Sequence, residues 1–190
     1  MKLLAISGSA RRDSVNTALL LALKEAAPAG VELRVFHRLD MLPVFSPDLE
    51  GEHTPRSVLE FLALVSGCDG IIVASPEYVR AIPGGLKNAI DWMVSRFEVI
   101  GKPIALAHAS HRGDDMLGSL RRVLSTVSDG FLGDVFLRIP LIGKTPEDIK
   151  GMLRAPERQS EMRGFLSAFV AAVRSRQSRE HGPHAVSDAS

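Results

Sequence analysis

The chain has 190 residues, 45% of them hydrophobic and 24% charged, and its 23 Lys and Arg against 22 Asp and Glu leave a formal net charge of +1. That is enough apolar content for one domain with a buried core, and near-neutrality excludes a broad basic field as a source of affinity for nucleic acid. The single cysteine, Cys68, excludes an intramolecular disulfide, and with no export-signal pattern and no run of roughly 18 apolar residues the protein is expected to be cytoplasmic and off the membrane.

Residues 3–6 form a short apolar run that stops at Gly8 and Ser9, after which Val15, Leu19, Leu23 and Ala26 recur at helical spacing. This reads as strand, loop, helix. Pro28 and Gly30 close the helix, and Val31, Leu33 and Val35 then alternate with Glu32 and Arg34 as in a half-buried edge strand. Residues 42–54, with Pro43, Pro47 and Gly51, have loop chemistry, and a helix is expected over 55–65 with Pro55 at its first position. The unbroken β-branched run at 70–75 fits a central parallel strand covered on both faces. A helix over 85–96, a second buried strand over 103–109, a helical stripe from Met116 to Val127 and a strand over 134–139 follow. The last helix is expected to begin near Pro146, break around Pro156 and resume as far as Val173. Beyond that point large apolar residues disappear, and 174–190 reads as a disordered polar tail.

Five strands alternating with five helices predict an α/β fold, a parallel sheet with helices on both faces, and a ligand at the carboxyl ends of the strands. Three loops therefore carry the functional expectation. The first holds Gly8, Ser9, Arg11, Asp13, Ser14, Asn16 and Thr17 at the start of a helix, where free N–H groups and the helix dipole favour a phosphate. Neither the GxGxxG dinucleotide fingerprint nor the GxxxxGK[ST] phosphate loop is present. Helix capping by Ser14 or Asp13 is compatible with the same residues touching a ligand. The second loop, Pro76, Glu77, Tyr78, Val79, Arg80, Ala81, Ile82 and Pro83, is braced by prolines and holds the only tyrosine, a rigid wall for a flat aromatic ligand. The third, Ser110, His111, Arg112 and Gly113, is small and polar. His108 and His111 do not make a metal site at this spacing, since one needs three or four convergent ligands, and no metal is expected.

Together these motifs resemble the NAD(P)H-dependent FMN reductase family of flavodoxin-like proteins. Residues 8–16 are similar to its G-S-x-R-x-x-S-x-N phosphate loop, and residues 76–92 to its P-E-Y-x-x-x-I-P-G-x-L-K-N-A-x-D-W segment. The resemblance implies a flavodoxin-like three-layer sandwich over residues 1–173, with a five-stranded parallel sheet in the order 2-1-3-4-5. It implies that Ser9, Arg11, Ser14, Val15, Asn16 and Thr17 bind the FMN phosphate end. Pro76, Glu77, Tyr78, Val79 and Arg80 would flank the flavin ring on one side, and Ser110, His111 and Gly113 would approach it from the other. One departure stands out: where such proteins often carry Asn after Pro-Glu-Tyr, this chain has Val79.

The implied activity is an oxidoreductase in which NADPH or NADH reduces FMN, and electrons pass on to a quinone, azo compound, metal oxyanion or free flavin. The flavin performs that chemistry, so no residue of the chain is singled out as catalytic. Arg80, beside Tyr78, is a candidate to attract the anionic phosphates of the dinucleotide. A homodimer or homotetramer is implied too, with the helices after strands three and four at the contact. A flavodoxin-like electron carrier is disfavoured by the near-neutral charge and by Arg11; a non-enzymatic regulatory protein is the remaining alternative.

Overall fold

In β1 (Lys2–Ser7) Leu3 and Ala5 face one way and Leu4 and Ile6 the other, and all four are buried. The same division holds in β3 (Gly70–Ala74), where Ile72 and Ala74 join one core and Ile71 and Val73 the other. Strands that are apolar on both faces need helices on both faces. The computed structural model, which describes residues 1–94 and 97–180, supplies them.

The five strands, with β2 (Glu32–Phe36), β4 (Ile104–His108) and β5 (Phe131–Arg138), form one parallel sheet in the order β2-β1-β3-β4-β5. This is the flavodoxin-like arrangement. On the Leu3 and Ala5 side lie α1 (Val15–Glu25), α5 (Pro146–Arg154) and α6 (Pro156–Glu180), and on the other lie α2 (Arg56–Ser66), α3 (Gly84–Val94) and α4 (Asp114–Val127). Phe169 of α6 and Phe61 of α2, each 0% exposed, anchor the two layers. Burying a side chain of that size is worth about 3 kcal/mol.

Several boundaries differ from the sequence reading. Six α-helices stand among the described residues instead of five, because Pro156 starts a separate helix after α5 ends at Arg154. Thr145 and Asp148 form a reciprocal capping box around Pro146, which fixes the start of α5. β5 begins at Phe131, before the expected 134, because its pairing with β4 jumps from Ile104↔Phe131 to Leu106↔Phe136 through a bulge that no hydrophobic pattern announces.

The largest correction concerns the tail. α6 does not stop at Val173 but runs to Glu180. Its added turns are tied down by polar bonds: Arg176 Nη2 donates to Asp129 Oδ1 at 2.7 Å, and Gln177 Nε2 to Asp69 Oδ1 at 2.9 Å. The remainder of the expected tail, residues 181–190, lies outside the described residues, as do residues 95 and 96 at the end of the helix expected after β3.

Candidate functional site

The loops leaving β1, β3, β4 and β5 enclose a cleft of about 680 Å³ at the carboxyl edge of the sheet. Cofactor sites usually span roughly 300–1,000 Å³, and in open α/β sheets they sit where the winding reverses, here between β1 and β3. Two smaller hollows of about 240 and 210 Å³ lie at the opposite edge, on either side of Cys68. That cysteine is buried, and desolvation pushes its thiol pKa up, away from reactive thiolate.

Gly8 is where two of the cleft loops meet. Its N–H donates to the Ala74 carbonyl at 2.7 Å, and a Cβ at this position would stand 2.6 Å from Ser75 Oγ, so only glycine fits. Downstream, the Arg11 N–H donates to Ser9 Oγ at 3.2 Å and the Thr17 N–H to Ser14 Oγ at 3.4 Å, the latter capping α1. The first turn of α1 carries no acid, which leaves its positive end open to an anion. Ser9, Arg11, Ser14, Val15 and Asn16 all line the cleft. Asn16 is only 3% exposed, and its Oδ1 has no hydrogen-bond partner among the described residues. A buried polar atom in that state costs about 1–3 kcal/mol until a partner meets it. Thr17 stands behind this lining: its Oγ1 shares a 2.8 Å hydrogen bond with Ser7 Oγ and holds the loop from below.

Pro76, Glu77 and Tyr78 form the next wall, with Tyr78 half exposed. The Glu77 carboxylate turns to α4, where Oε2 accepts the Met116 N–H at 3.2 Å and so caps a helix whose own N-cap residue, Gly113, has no side chain. Val79 and Arg80 do not line the cleft. They form the tip of a hairpin closed by Tyr78 and Ala81, whose backbones exchange hydrogen bonds of 3.2 and 3.0 Å. The Arg80 guanidinium, expected to attract a dinucleotide, is paired with Asp115 at 2.5 Å on an exposed surface.

From β4 come Ser110 and Gly113, both expected, together with His108 and Arg112. His108 is 1% exposed, and its Nε2 lies 2.5 Å from the Arg112 carbonyl. A carbonyl only accepts, so Nε2 carries the proton of the neutral ring. Burial pushes the His108 pKa below its ordinary value, against the Arg112 carbonyl, which favours the charged form; the ring is neutral at pH 7. His111 is exposed and off the lining.

The fourth wall is one the sequence reading missed: Ile142, Gly143, Lys144, Pro146 and Ile149, from the segment after β5 and the start of α5. Its available signal was the rule that ligands gather at the carboxyl ends of strands, applied to the last strand as well as to β1, β3 and β4. Asp13, Ser75 and Arg112 complete the lining. Among the described residues no three His, Cys, Asp or Glu side chains converge as metal ligands would.

A helix start with Arg11 and free N–H groups, facing a rigid wall with an aromatic ring, fits a phosphate-bearing flat cofactor, and the unpartnered Asn16 Oδ1 is an acceptor suited to a hydroxyl of such a molecule. Comparison with known proteins points the same way. A family model described as NADPH-dependent FMN reductase matches residues 1–137. A quinone reductase of Pseudomonas putida strain KT2440 is 30% identical over 172 residues, covering 87% of this chain and 88% of that protein. A quinone reductase of Escherichia coli K12 is 32% identical over 114 residues, a match spanning 58% of this chain and 60% of the relative's length. Among solved structures, FerB, a flavoenzyme NAD(P)H:(acceptor) oxidoreductase from Paracoccus denitrificans, superposes with a TM-score of 0.73 at 25% identity, covering 92% of this chain and 98% of its own.

Proposed function

The chain belongs to the NADPH-dependent FMN reductase family, and from that premise we propose that it is an FMN-dependent oxidoreductase carrying electrons from NADPH or NADH to a quinone. The observation that carries this reading is the meeting, in one cleft, of the anion site at the start of α1 and the flat wall of Pro76 and Tyr78. Over one turnover the dinucleotide gives up a hydride, and that hydride with one proton converts the quinone to its quinol. FMN supplies this two-electron chemistry when bound.

The chain's own work is placement. Ser9, Arg11, Ser14 and Asn16, with the N–H groups of α1, hold the phosphate. Thr17 keeps Ser7 in place beneath them. Pro76, Tyr78, Ser110 and Gly113 flank the ring and exclude water from its two sides, while the Glu77 carboxylate fixes one wall against the other through α4. Val79, Arg80 and His111 have no direct flavin contact in this scheme.

A quinone is preferred over an azo compound, metal oxyanion or free flavin because the P. putida and E. coli relatives are named quinone reductases. Steady-state assay of the FMN-loaded protein tests this: oxidation of NADPH or NADH should accelerate at least tenfold on adding benzoquinone. A rate that quinone leaves unchanged would favour an azo compound, metal oxyanion or free flavin as acceptor, and no oxidation of NADPH or NADH would favour the electron-carrier or regulatory alternatives. Among the described residues no helix is long and apolar enough to cross a membrane; a cytoplasmic location and a homodimer complete the proposal.

A further inference from the structure

Arg112 is held at three points. Its N–H donates to Ser110 Oγ at 3.0 Å, its carbonyl accepts from His108 Nε2 at 2.5 Å, and its own Nε donates to His111 Nε2 at 3.2 Å. Gly113 follows with φ of 99°, and a Cβ there would stand 3.0 Å from His108 Nε2, so the backbone after Arg112 is constrained as well. A free arginine side chain carries about 2 kcal/mol of rotamer entropy, part of which it loses on binding a ligand. Here part of that loss is incurred in the folded protein, the usual mark of a preorganised recognition group.

The charge of Arg112 is also uncommitted. Arg112 is an exposed residue of the cleft lining, and among the described residues its guanidinium forms no ion pair with a carboxylate. Its neighbours are different: Arg80 is paired with Asp115, and Arg138 with Asp114. With Nε taken by His111, the two terminal nitrogens remain for two oxygens of one anion. β4 stands two strand positions from β1, about 10 Å across the sheet, and Arg112 follows β4 where the start of α1 follows β1.

We propose that Arg112 is a second anion-recognition residue of the cleft, reading a phosphate of the reducing pyridine dinucleotide, with Ser110, His108 and His111 as its positioning residues. The proposal rests on the flavin reading above: with the flavin phosphate at α1 and an uncharged quinone as acceptor, the dinucleotide is the reactant that brings further phosphates. Both NADH and NADPH carry a pyrophosphate, and NADPH adds a 2′-phosphate.

The test uses FMN-loaded protein, with calorimetric binding of NADP⁺ and NAD⁺ alongside steady-state kinetics and a separate FMN dissociation constant from fluorescence. Arg112→Gln should weaken NADP⁺ binding and raise the KM for NADPH at least tenfold while kcat changes less than twofold and the FMN dissociation constant less than threefold. Equal losses for NAD⁺ would place the pyrophosphate at Arg112, and a loss confined to NADP⁺ the 2′-phosphate. His111→Leu should reproduce part of the KM effect, and His111→Gln, which keeps an acceptor for Nε, should restore it. Unchanged dinucleotide binding in Arg112→Gln overturns the proposal and leaves the flavin reading standing, as does a loss of FMN affinity in place of dinucleotide affinity. Failure of the wild-type protein to bind FMN overturns both.

Discussion

Val79 and Arg80 have φ of 52° and 59°, so both central residues of the hairpin between Tyr78 and Ala81 occupy the left-handed region. A two-residue turn with both φ positive favours Asn followed by Gly, and a β-branched residue there is strained. Val79 is also 98% exposed, so it gains no burial in return. Having Val where similar proteins often carry Asn is thus also a backbone matter. Val79→Asn should stabilise the protein by about 1 kcal/mol, a rise in Tm of about 3 °C for a chain of this size; calorimetric melting checks it, and a lowered Tm would mean that the valine makes a contact worth more than the strain. That Ser9, Arg11, Ser14 and Asn16 would line a cleft was legible in sequence, because the loop after a central parallel strand opens at the carboxyl edge of the sheet. The bonds that join Arg112 to His108 and His111 were not, since spacing does not encode contacts across a folded loop.

The element scale separates what periodicity encodes from what it does not. The inner strands β1, β3 and β4 were read within a residue or two, because burial on both faces leaves a continuous apolar signature. The end of α6 was missed because its last turns are held by Arg176 and Gln177 instead of an apolar stripe. The bulge in β5 likewise leaves no trace in hydrophobicity. The same scale governs assembly. Val94 at the end of α3 is 59% exposed, and Phe97 and Ile100 in the turn after it are 86% and 59% exposed. Large apolar residues grouped this way support an interface on the α3 side, whereas α4, the other helix expected at the contact, adds no exposed large hydrophobic residue among those described. Light scattering should return twice the 20.5 kDa chain mass, and Phe97→Glu should halve it; a monomeric wild-type protein would contradict the homodimer.

For the whole molecule, the parallel order β2-β1-β3-β4-β5 brings residues far apart in sequence to one edge of the sheet. The start of α1, the turn after β3, the loop after β4 and the start of α5 become four walls of one cleft. Near-neutral net charge fits this design, in which the cleft draws on a few local cations, Arg11, Arg112 and Lys144, and not on a global field. The central claim is that these walls form a flavin site. Fluorescence titration of the purified protein with FMN measures it directly: the expected result is saturable quenching at one FMN per chain, weakened at least tenfold in Arg11→Ala with the fold intact by circular dichroism. Absence of saturable binding to the folded wild-type protein would contradict it.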